Sequence, residues 1–278
     1  ARAKERGIPV FSYIPPSAWA WRKGRAKSCA ALADEIVAIF PHELPPYEAA
    51  GANISFVGNP LIDTVHAEMG AEEARGHFGI DADDVPILLM PGSRREEIER
   101  LLPPMLGAAE ILAACDSVRR FFLPVAGGVD VAQIEKHLAN SSVEVTLTHD
   151  ARYALMGVAR AAIAASGTVV MEAAIMGLPA VVLYRMSALS YFVGRLLVDV
   201  PRFSLPNILV GETFETELLQ DAVQPERIAK AMEQIIMDGA PRDYVTERLA
   251  RAVALLGEPH AARRVAEKIL ALGKHCDY

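Results

Sequence analysis

Two short runs in this sequence combine the residue types that hold phosphate groups. The first is Leu88-Leu89-Met90-Pro91-Gly92-Ser93-Arg94, where an apolar strand pattern ends and a helical pattern opens at Arg95-Glu96-Glu97. Gly92 permits a tight turn and close backbone approach. Ser93 can cap the helix or bond a phosphate oxygen. Arg94 carries a permanent charge on a planar fork suited to phosphate. The second run is Ala164-Ala165-Ser166-Gly167-Thr168-Val169-Val170-Met171-Glu172. There Ser166, Gly167 and Thr168 stand at a helix start, where unpaired N–H groups and the helix dipole attract an anion. Glu172 follows about one turn later in an apolar neighbourhood. A carboxylate so placed needs donors, and ribose hydroxyls can supply them. Both runs also have a plainer reading, as capped helix starts with a surface arginine and a buried structural acid.

A third segment, Phe203-Ser204-Leu205-Pro206-Asn207-Ile208, is followed by Glu217-Leu218-Leu219-Gln220. Asn207 and Gln220 could address sugar hydroxyls or a diphosphate, although amides and acids occur on many loops. A fourth, Trp19 to Lys27, holds both tryptophans of the chain together with Arg22, Lys23, Arg25 and Lys27. Aromatic and basic residues together suit a membrane interface or an anionic lipid head, or else a basic helix start packed on its own domain. A similar patch runs from Tyr191 to Leu197, near Arg202 and Phe203.

Several patterns carry less. Asp81-Ala82-Asp83 resembles a metal-binding D-x-D, but it precedes its strand in an acidic loop. Ala126-Gly127-Gly128 is an incomplete dinucleotide fingerprint. His149 follows a strand and could line a base pocket; the histidines form no ligand cluster. The cysteines Cys29, Cys115 and Cys276 are scattered, as in proteins of a reducing compartment. No metal site and no cofactor are expected.

Positioning the two phosphate runs takes a parallel sheet. Strands are predicted at Val10–Ile14, Ile36–Phe40, Ile54–Val57, Ile87–Met90, Phe121–Val125, Val143–Leu147, Ala161–Ala165 and Ala180–Tyr184, mostly as continuous apolar runs. Helices are predicted at Glu96–Ala114, Val131–Ala139, Ala151–Gly157 and Val169–Met176. After Gln224 three more follow, at Pro225–Met237, Arg242–Leu256 and Ala261–Leu272. This alternation predicts an α/β protein with right-handed crossovers. The polar stretch His66–Asp84 separates two groups of strands, and a boundary is placed at the turn-like Gly58-Asn59-Pro60-Leu61-Ile62-Asp63. The expected domains are residues 1–62, the remainder of an incomplete N-terminal Rossmann-like domain; 63–223, a complete second one; and 224–278, C-terminal helices. The opening ARAKERGIPVFSYI reads as the end of a basic helix and a strand, so the chain is expected to be an N-terminally truncated piece. A net charge of −7 argues against a protein that grips nucleic acid. The apolar stretch Val158–Tyr184 is too interrupted to cross a membrane.

Taken in order, PPSAWAWRKGRAK, GNPLID, LLMPGSRREEI, SGTVVMEAA, GLPAVVLYRM, SLPNILVG and ELLQ resemble the lipid-A-disaccharide synthases of Gram-negative bacteria, hexosyltransferases of GT-B fold. The resemblance runs through essentially the whole chain. It departs at Asn59, where the family pattern leads one to expect His. It implies inverting transfer of 2,3-diacylglucosamine from UDP to 2,3-diacylglucosamine 1-phosphate. It further implies that Gly92, Ser93, Arg94, Ser166, Gly167 and Thr168 hold the donor diphosphate and Glu172 the ribose. Asn207, Glu217 and Gln220 would lie around the donor sugar and phosphates. Trp19, Trp21, Arg22, Lys23 and Arg25 would make peripheral contact with the cytoplasmic face of the inner membrane. The C-terminal helices would return to the N-terminal domain, with a swapped homodimer possible. The general base would lie in a missing N-terminal part of roughly 100 residues, so this chain alone is expected to be inactive. The rival readings are another GT-B enzyme of UDP-N-acetylglucosamine, a cell-wall transferase or a 2-epimerase, and a non-catalytic UDP-binding fragment.

Overall fold

A computed structural model describes residues 2–18, 24–115, 118–186 and 201–274. They divide into two compact units. One comprises residues up to 64 and those from 254 onward; the other comprises 65–186 and 202–253. Both are built on parallel sheets.

The first unit contains α1 (Arg2–Glu5), β1 (Phe11–Tyr13), α2 (Gly24–Leu32), β2 (Glu35–Ala38), α3 (Leu44–Glu48), β3 (Ile54–Phe56) and α4 (Leu61–Thr64). Its strands pair in parallel in the order β1-β2-β3. Tyr47 is wholly buried beneath the sheet, and its hydroxyl donates to the Pro16 carbonyl at 2.7 Å. The expected hinge motif GNPLID is a seat for a later helix. The Asn59 amide donates to the Ile39 carbonyl at 2.9 Å, and its oxygen accepts from the Leu61 N–H at 2.9 Å. Asparagine thus meets the hydrogen-bonding needs of this fully buried position. Asp63 accepts from the N–H groups of His260 and Ala261, capping the last helix from a distance in sequence. Gly58 has φ 107°, and a Cβ there would lie 2.8 Å from the Arg264 guanidinium. That space is needed because Arg264 donates to the Val57 carbonyl at 2.7 Å.

The second unit begins with α5 (Ala71–Phe78), inside the stretch expected to be a mere polar separator. Its Ala74 is buried, Gly79 ends it with φ 61°, and α5 packs against a later helix of the same unit. Then follow β4 (Val85–Met90), α6 (Arg95–Cys115), β5 (Arg119–Pro124), α7 (Val131–Leu138), β6 (Val145–Thr148), α8 (Arg152–Val158), β7 (Ala161–Ala165), α9 (Thr168–Ile175) and β8 (Ala180–Tyr184). The chain resumes with α10 (Leu205–Val210), β9 (Glu217–Leu219), α11 (Pro225–Ile236) and α12 (Ala240–Ala254). β9 was not foreseen: at three residues it is too short to show a pattern. All six strands are parallel, in the order β6-β5-β4-β7-β8-β9. Every residue of β7 is buried, which explains its alanine-rich, uninterrupted apolar run.

Packing explains two departures from helix rules. α6 runs through Pro103 and Pro104, which cannot donate to the carbonyls of Glu99 and Arg100. Its apolar face compensates, with Ile98, Leu101, Leu102, Met105 and Leu112 all buried. At Gly107 a Cβ would come within 2.8 Å of Pro225, so glycine lets α11 lie close on α6. Buried Arg119 locks this pair, donating to the Leu112 carbonyl and to Glu233, each at 2.8 Å.

The segment expected as one block, 224–278, is therefore shared. α11 and α12 belong with the second unit, whereas α13 (Ala261–Lys274) lies with β1 in the first, where Lys268 pairs with Glu35 at 2.6 Å.

Candidate functional site

Counted from β4 as strand one, the second sheet reads 3-2-1-4-5-6. The order reverses between β4 and β7, so the connections leaving these neighbours diverge and open a crevice at their carboxyl ends. The two runs flagged in the sequence are the turns that leave these two strands. Gly92, Ser93, Arg94, Ser166, Gly167, Thr168 and Glu172 all line one cleft of about 310 Å³. Their spacing in sequence is erased by the register that sets Met90 beside Ala164.

On the β4 side, Gly92 has φ 102°, a conformation other residues rarely adopt. A Cβ there would meet a Glu97 carboxylate oxygen at 2.4 Å. That carboxylate reaches back to accept from the Arg94 N–H at 3.3 Å, so Glu97 caps α6 in the role expected of Ser93. Its other oxygen pairs with the Arg94 guanidinium at 2.7 Å. The Arg94 side chain is 82% exposed, so this ion pair is weak and open to competition.

On the β7 side, Gly167 offers no side-chain cap to α9, leaving its first N–H groups toward the cleft. The Ser166 hydroxyl donates to the Phe203 carbonyl at 3.0 Å, which fixes the turn and leaves the oxygen lone pairs for a ligand donor. Glu172 is buried to 8% exposure. Burial raises its pKa, and nearby Arg152 pulls it partly back. Arg152 Nη2 stands 3.3 and 3.4 Å from its two oxygens, but Oε2 has no well-directed donor among the described residues. Such an acceptor is matched to a ligand hydroxyl.

Arg152 was not singled out in the sequence, because it lies 20 residues from Glu172 and only α8 brings the two together. Glu68 holds the start of α8, accepting from the Ala154 N–H at 2.7 Å. The Arg152 guanidinium also covers the Tyr153 ring, 4.6 Å from its centroid. His149 is exposed and does not line the cleft.

The other three expected contacts are placed elsewhere. Asn207 is fully buried and cannot reach a sugar. Its amide donates to the Glu215 carbonyl and to Glu217, and its oxygen accepts from the N–H groups of Phe214 and Glu215. Both protons and both lone pairs are spent inside the protein. Glu217 accepts from the N–H groups of Phe203 and Ser204, each at 3.0 Å. Gln220, at φ 52°, accepts from the Met186 N–H at 3.1 Å. None of the three lines the cleft. Glu217, itself held by Asn207, braces the Phe203–Ser204 turn, whose Phe203 carbonyl holds Ser166. Trp19, Trp21, Arg22, Lys23 and the Tyr191–Leu197 patch lie outside the described residues; Arg25 is exposed on α2.

At the centre of this brace, Glu215 is buried near the Ala180 N–H, with Oε1 lacking a well-directed partner among the described residues and Oε2 2.7 Å from the Ser204 hydroxyl. Burial pushes its pKa up from 4.5 to about 8, the Ser204 hydroxyl opposes this, and the Glu217 charge adds to it. Below pH about 4.5 the carboxyl is protonated both folded and unfolded. Between 4.5 and about 8 the unfolded chain releases a proton that the folded chain keeps, so stability falls as pH rises through this window. Glu215→Gln should therefore lose less stability between pH ~5 and ~8 than the native chain in urea denaturation. An unchanged pH slope would show that Glu215 is ionised in the fold.

Among known proteins, residues 1–270 match the family model described as lipid-A-disaccharide synthetase. The lipid-A-disaccharide synthase of Syntrophus aciditrophicus is 42% identical over 276 residues, covering 99% of this chain and 72% of that one. That of Geobacter metallireducens is 41% identical over 273 residues, covering 98% and 71%. Solved structures of similar fold include a UDP-GlcNAc 2-epimerase from Neisseria meningitidis bound to UDP-GlcNAc, with TM-score 0.65, 16% identity, and coverage of 97% of this chain and 71% of that one. MurG of Acinetobacter baumannii has TM-score 0.56 and 15% identity, covering 95% and 67%. At such identities the likeness speaks for the fold alone, which is of GT-B type. Sequence, fold and cleft converge, and the chain belongs to the lipid-A-disaccharide synthetase family of glycosyltransferases.

Proposed function

We propose that the cleft between β4 and β7 holds the UDP part of the donor in an inverting transfer of 2,3-diacylglucosamine from UDP to 2,3-diacylglucosamine 1-phosphate. The products are lipid A disaccharide 1-phosphate and UDP. The observation that carries this reading is the convergence of the Gly92–Arg94 turn, the Ser166–Thr168 turn and Glu172 at the sheet's switch point. As the acceptor hydroxyl attacks the anomeric carbon, the bond to the diphosphate breaks and negative charge grows on the leaving UDP. Arg94 and the N-termini of α6 and α9 oppose that charge with donors already in place. The incoming diphosphate competes with Glu97 for Arg94. Glu172 accepts from the ribose hydroxyls, with Arg152 opposing the upward push of burial on its carboxyl.

The proposed domains follow the same logic. Residues 1–62 serve the acceptor side and 63–223 the UDP-sugar side, the latter completed by α11 and α12. The return of α13 to the first unit offers a route to a swapped homodimer. No described helix is long and apolar enough to cross a membrane. Trp19, Trp21, Arg22, Lys23 and Arg25 are proposed as the peripheral contact with the cytoplasmic face of the inner membrane of a Gram-negative cell, because their types suit anionic lipid heads.

Three outcomes are expected. In calorimetry UDP should bind equally well with and without EDTA, and Arg94→Ala should weaken it about ten- to a hundredfold, as for loss of a charge-assisted hydrogen bond. EDTA-sensitive binding would refute the metal-independent site. Glu172→Ala should weaken UDP more than pyrophosphate, which lacks ribose; equal losses would remove the ribose assignment. Charge reversal at Arg22 and Arg25 should reduce sedimentation with anionic liposomes, and unchanged sedimentation would count against the membrane contact.

A further inference from the structure

The polar brace behind the donor cleft contains an acid that the proposed transfer does not use. Glu215 is 1% exposed and belongs to the same unit as the cleft. Its partner Ser204 is wholly buried, and two acids converge on it. The Ser204 hydroxyl stands 2.7 Å from Glu215 Oε2, while the Ser204 N–H donates to Glu217 Oε1 at 3.0 Å. Glu217 Oε2 accepts from the Phe203 N–H at 3.0 Å. The next bond leaves the brace for the cleft, since the Phe203 carbonyl accepts from the Ser166 hydroxyl at 3.0 Å. Ser166 lines the donor cleft beside Gly167 and Thr168. Two hydrogen bonds and one peptide link thus join a buried carboxyl to a phosphate turn.

Two carboxylates held against one buried residue repel each other, which favours a proton on one of them. Glu217 has three donors, the N–H groups of Phe203 and Ser204 and the Asn207 amide, and these suit the charged form. Glu215 has the Ser204 hydroxyl and lies near the Ala180 N–H, and its Oε1 lacks a well-directed partner among the described residues. The proton therefore belongs on Glu215. Burial pushes its pKa up to about 8; the Ser204 hydroxyl and the Ala180 N–H oppose this, and the Glu217 charge adds to it. Other ionisable groups on the surrounding elements are engaged elsewhere. Glu172 of α9 is held by Arg152, Tyr184 of β8 packs on Phe203, Glu212 is held by Arg248, and Arg202 donates to Thr213.

We propose that Glu215 is a positioning residue of the donor cleft: its protonated carboxyl steadies Ser204 beside Glu217, and loss of the proton loosens the Phe203–Ser204 turn and frees the Ser166 hydroxyl. Ionisation places like charges on both sides of one buried residue, and the turn relieves this by moving toward water. Nucleotide affinity is then full while the proton is held. It falls as pH rises through the folded pKa of Glu215, because a ligand that favours the protonated form takes up a proton on binding. The inference rests on the cleft being the UDP site.

The test is calorimetry of UDP binding to the whole chain between pH ~7 and ~9, above the second ionisation of a terminal phosphate near pH ~6. Across this window the native chain should lose about fivefold or more in UDP affinity. Glu215→Gln keeps the shape of the protonated acid but has no proton to lose, so its affinity should change by less than about twofold. Parallel profiles in the native chain and Glu215→Gln would overturn the proposal, as would a flat native profile. Hydrogen exchange without ligand gives a second readout. From pH ~7 to ~9 the amides of residues 166–170 and 203–208 should speed up more in the native chain than in Glu215→Gln, and an equal change in both would also overturn it. If UDP fails to bind the native chain at pH ~7, the donor reading falls by itself, and the exchange comparison still decides whether Glu215 sets the Ser166 turn.

Discussion

Strands β4 and β7 lie side by side in one parallel sheet, yet the chains that leave them turn toward opposite edges. The rest of the site depends on that divergence. Right-handed crossovers force α6 and α9 apart at their starts, so the carboxyl ends of two largely buried strands stay uncovered. Backbone N–H groups at the two helix starts are then oriented by the fold itself, at no further entropic cost when a ligand arrives. Small residues at both turns keep this opening clear. At Gly92 even a methyl group would strike Glu97.

Charge is distributed to suit. The chain is acidic overall, so attraction for an anion must be local. Arg94 is held by Glu97 in the absence of ligand, but at 82% exposure the pair contributes little to stability and yields readily. Glu172 stands in the opposite situation. It is buried, and Arg152 offsets the cost of its charge without giving Oε2 a well-directed hydrogen bond. One acid therefore holds its arginine in a weak exposed pair, whereas the other holds its arginine while Oε2 lacks a well-directed donor among the described residues.

Behind the cleft, a buried polar brace converts loop sequence into rigid geometry. Asn207 and Glu217 tie the Phe203–Ser204 turn to the segment before β9, and Phe203 in turn fixes the Ser166 hydroxyl. These residues look like ligand contacts in the sequence because an amide or carboxylate binds a sugar hydroxyl and a backbone N–H with the same atoms. Only burial separates the two uses. Glu215 shows how fully this region excludes water, since it is buried to 1% exposure, and that burial pushes its pKa up.

The sequence by itself determined most of the sheet strands, the family, and the two turns and the acid, Glu172, that share the cleft. Apolar runs, glycines that must turn, and ordered motifs are local properties, written where they act. It left Ser93 open as helix cap or phosphate contact, and Glu97 is the residue that reaches back to the Arg94 N–H. It also missed α5 inside a polar stretch, because a single buried alanine face leaves little periodic trace. Tertiary structure alone decided the rest. It set Arg152 against Glu172, and sent α13 to the first unit while α11 and α12 stayed with the second. It also tied Asn207 and Glu217, expected as ligand contacts, into backbone-holding bonds, and set the Gln220 oxygen on the Met186 N–H. Each of these depends on which distant segments share a surface, and that is fixed by strand order and packing, to which no single segment's composition responds.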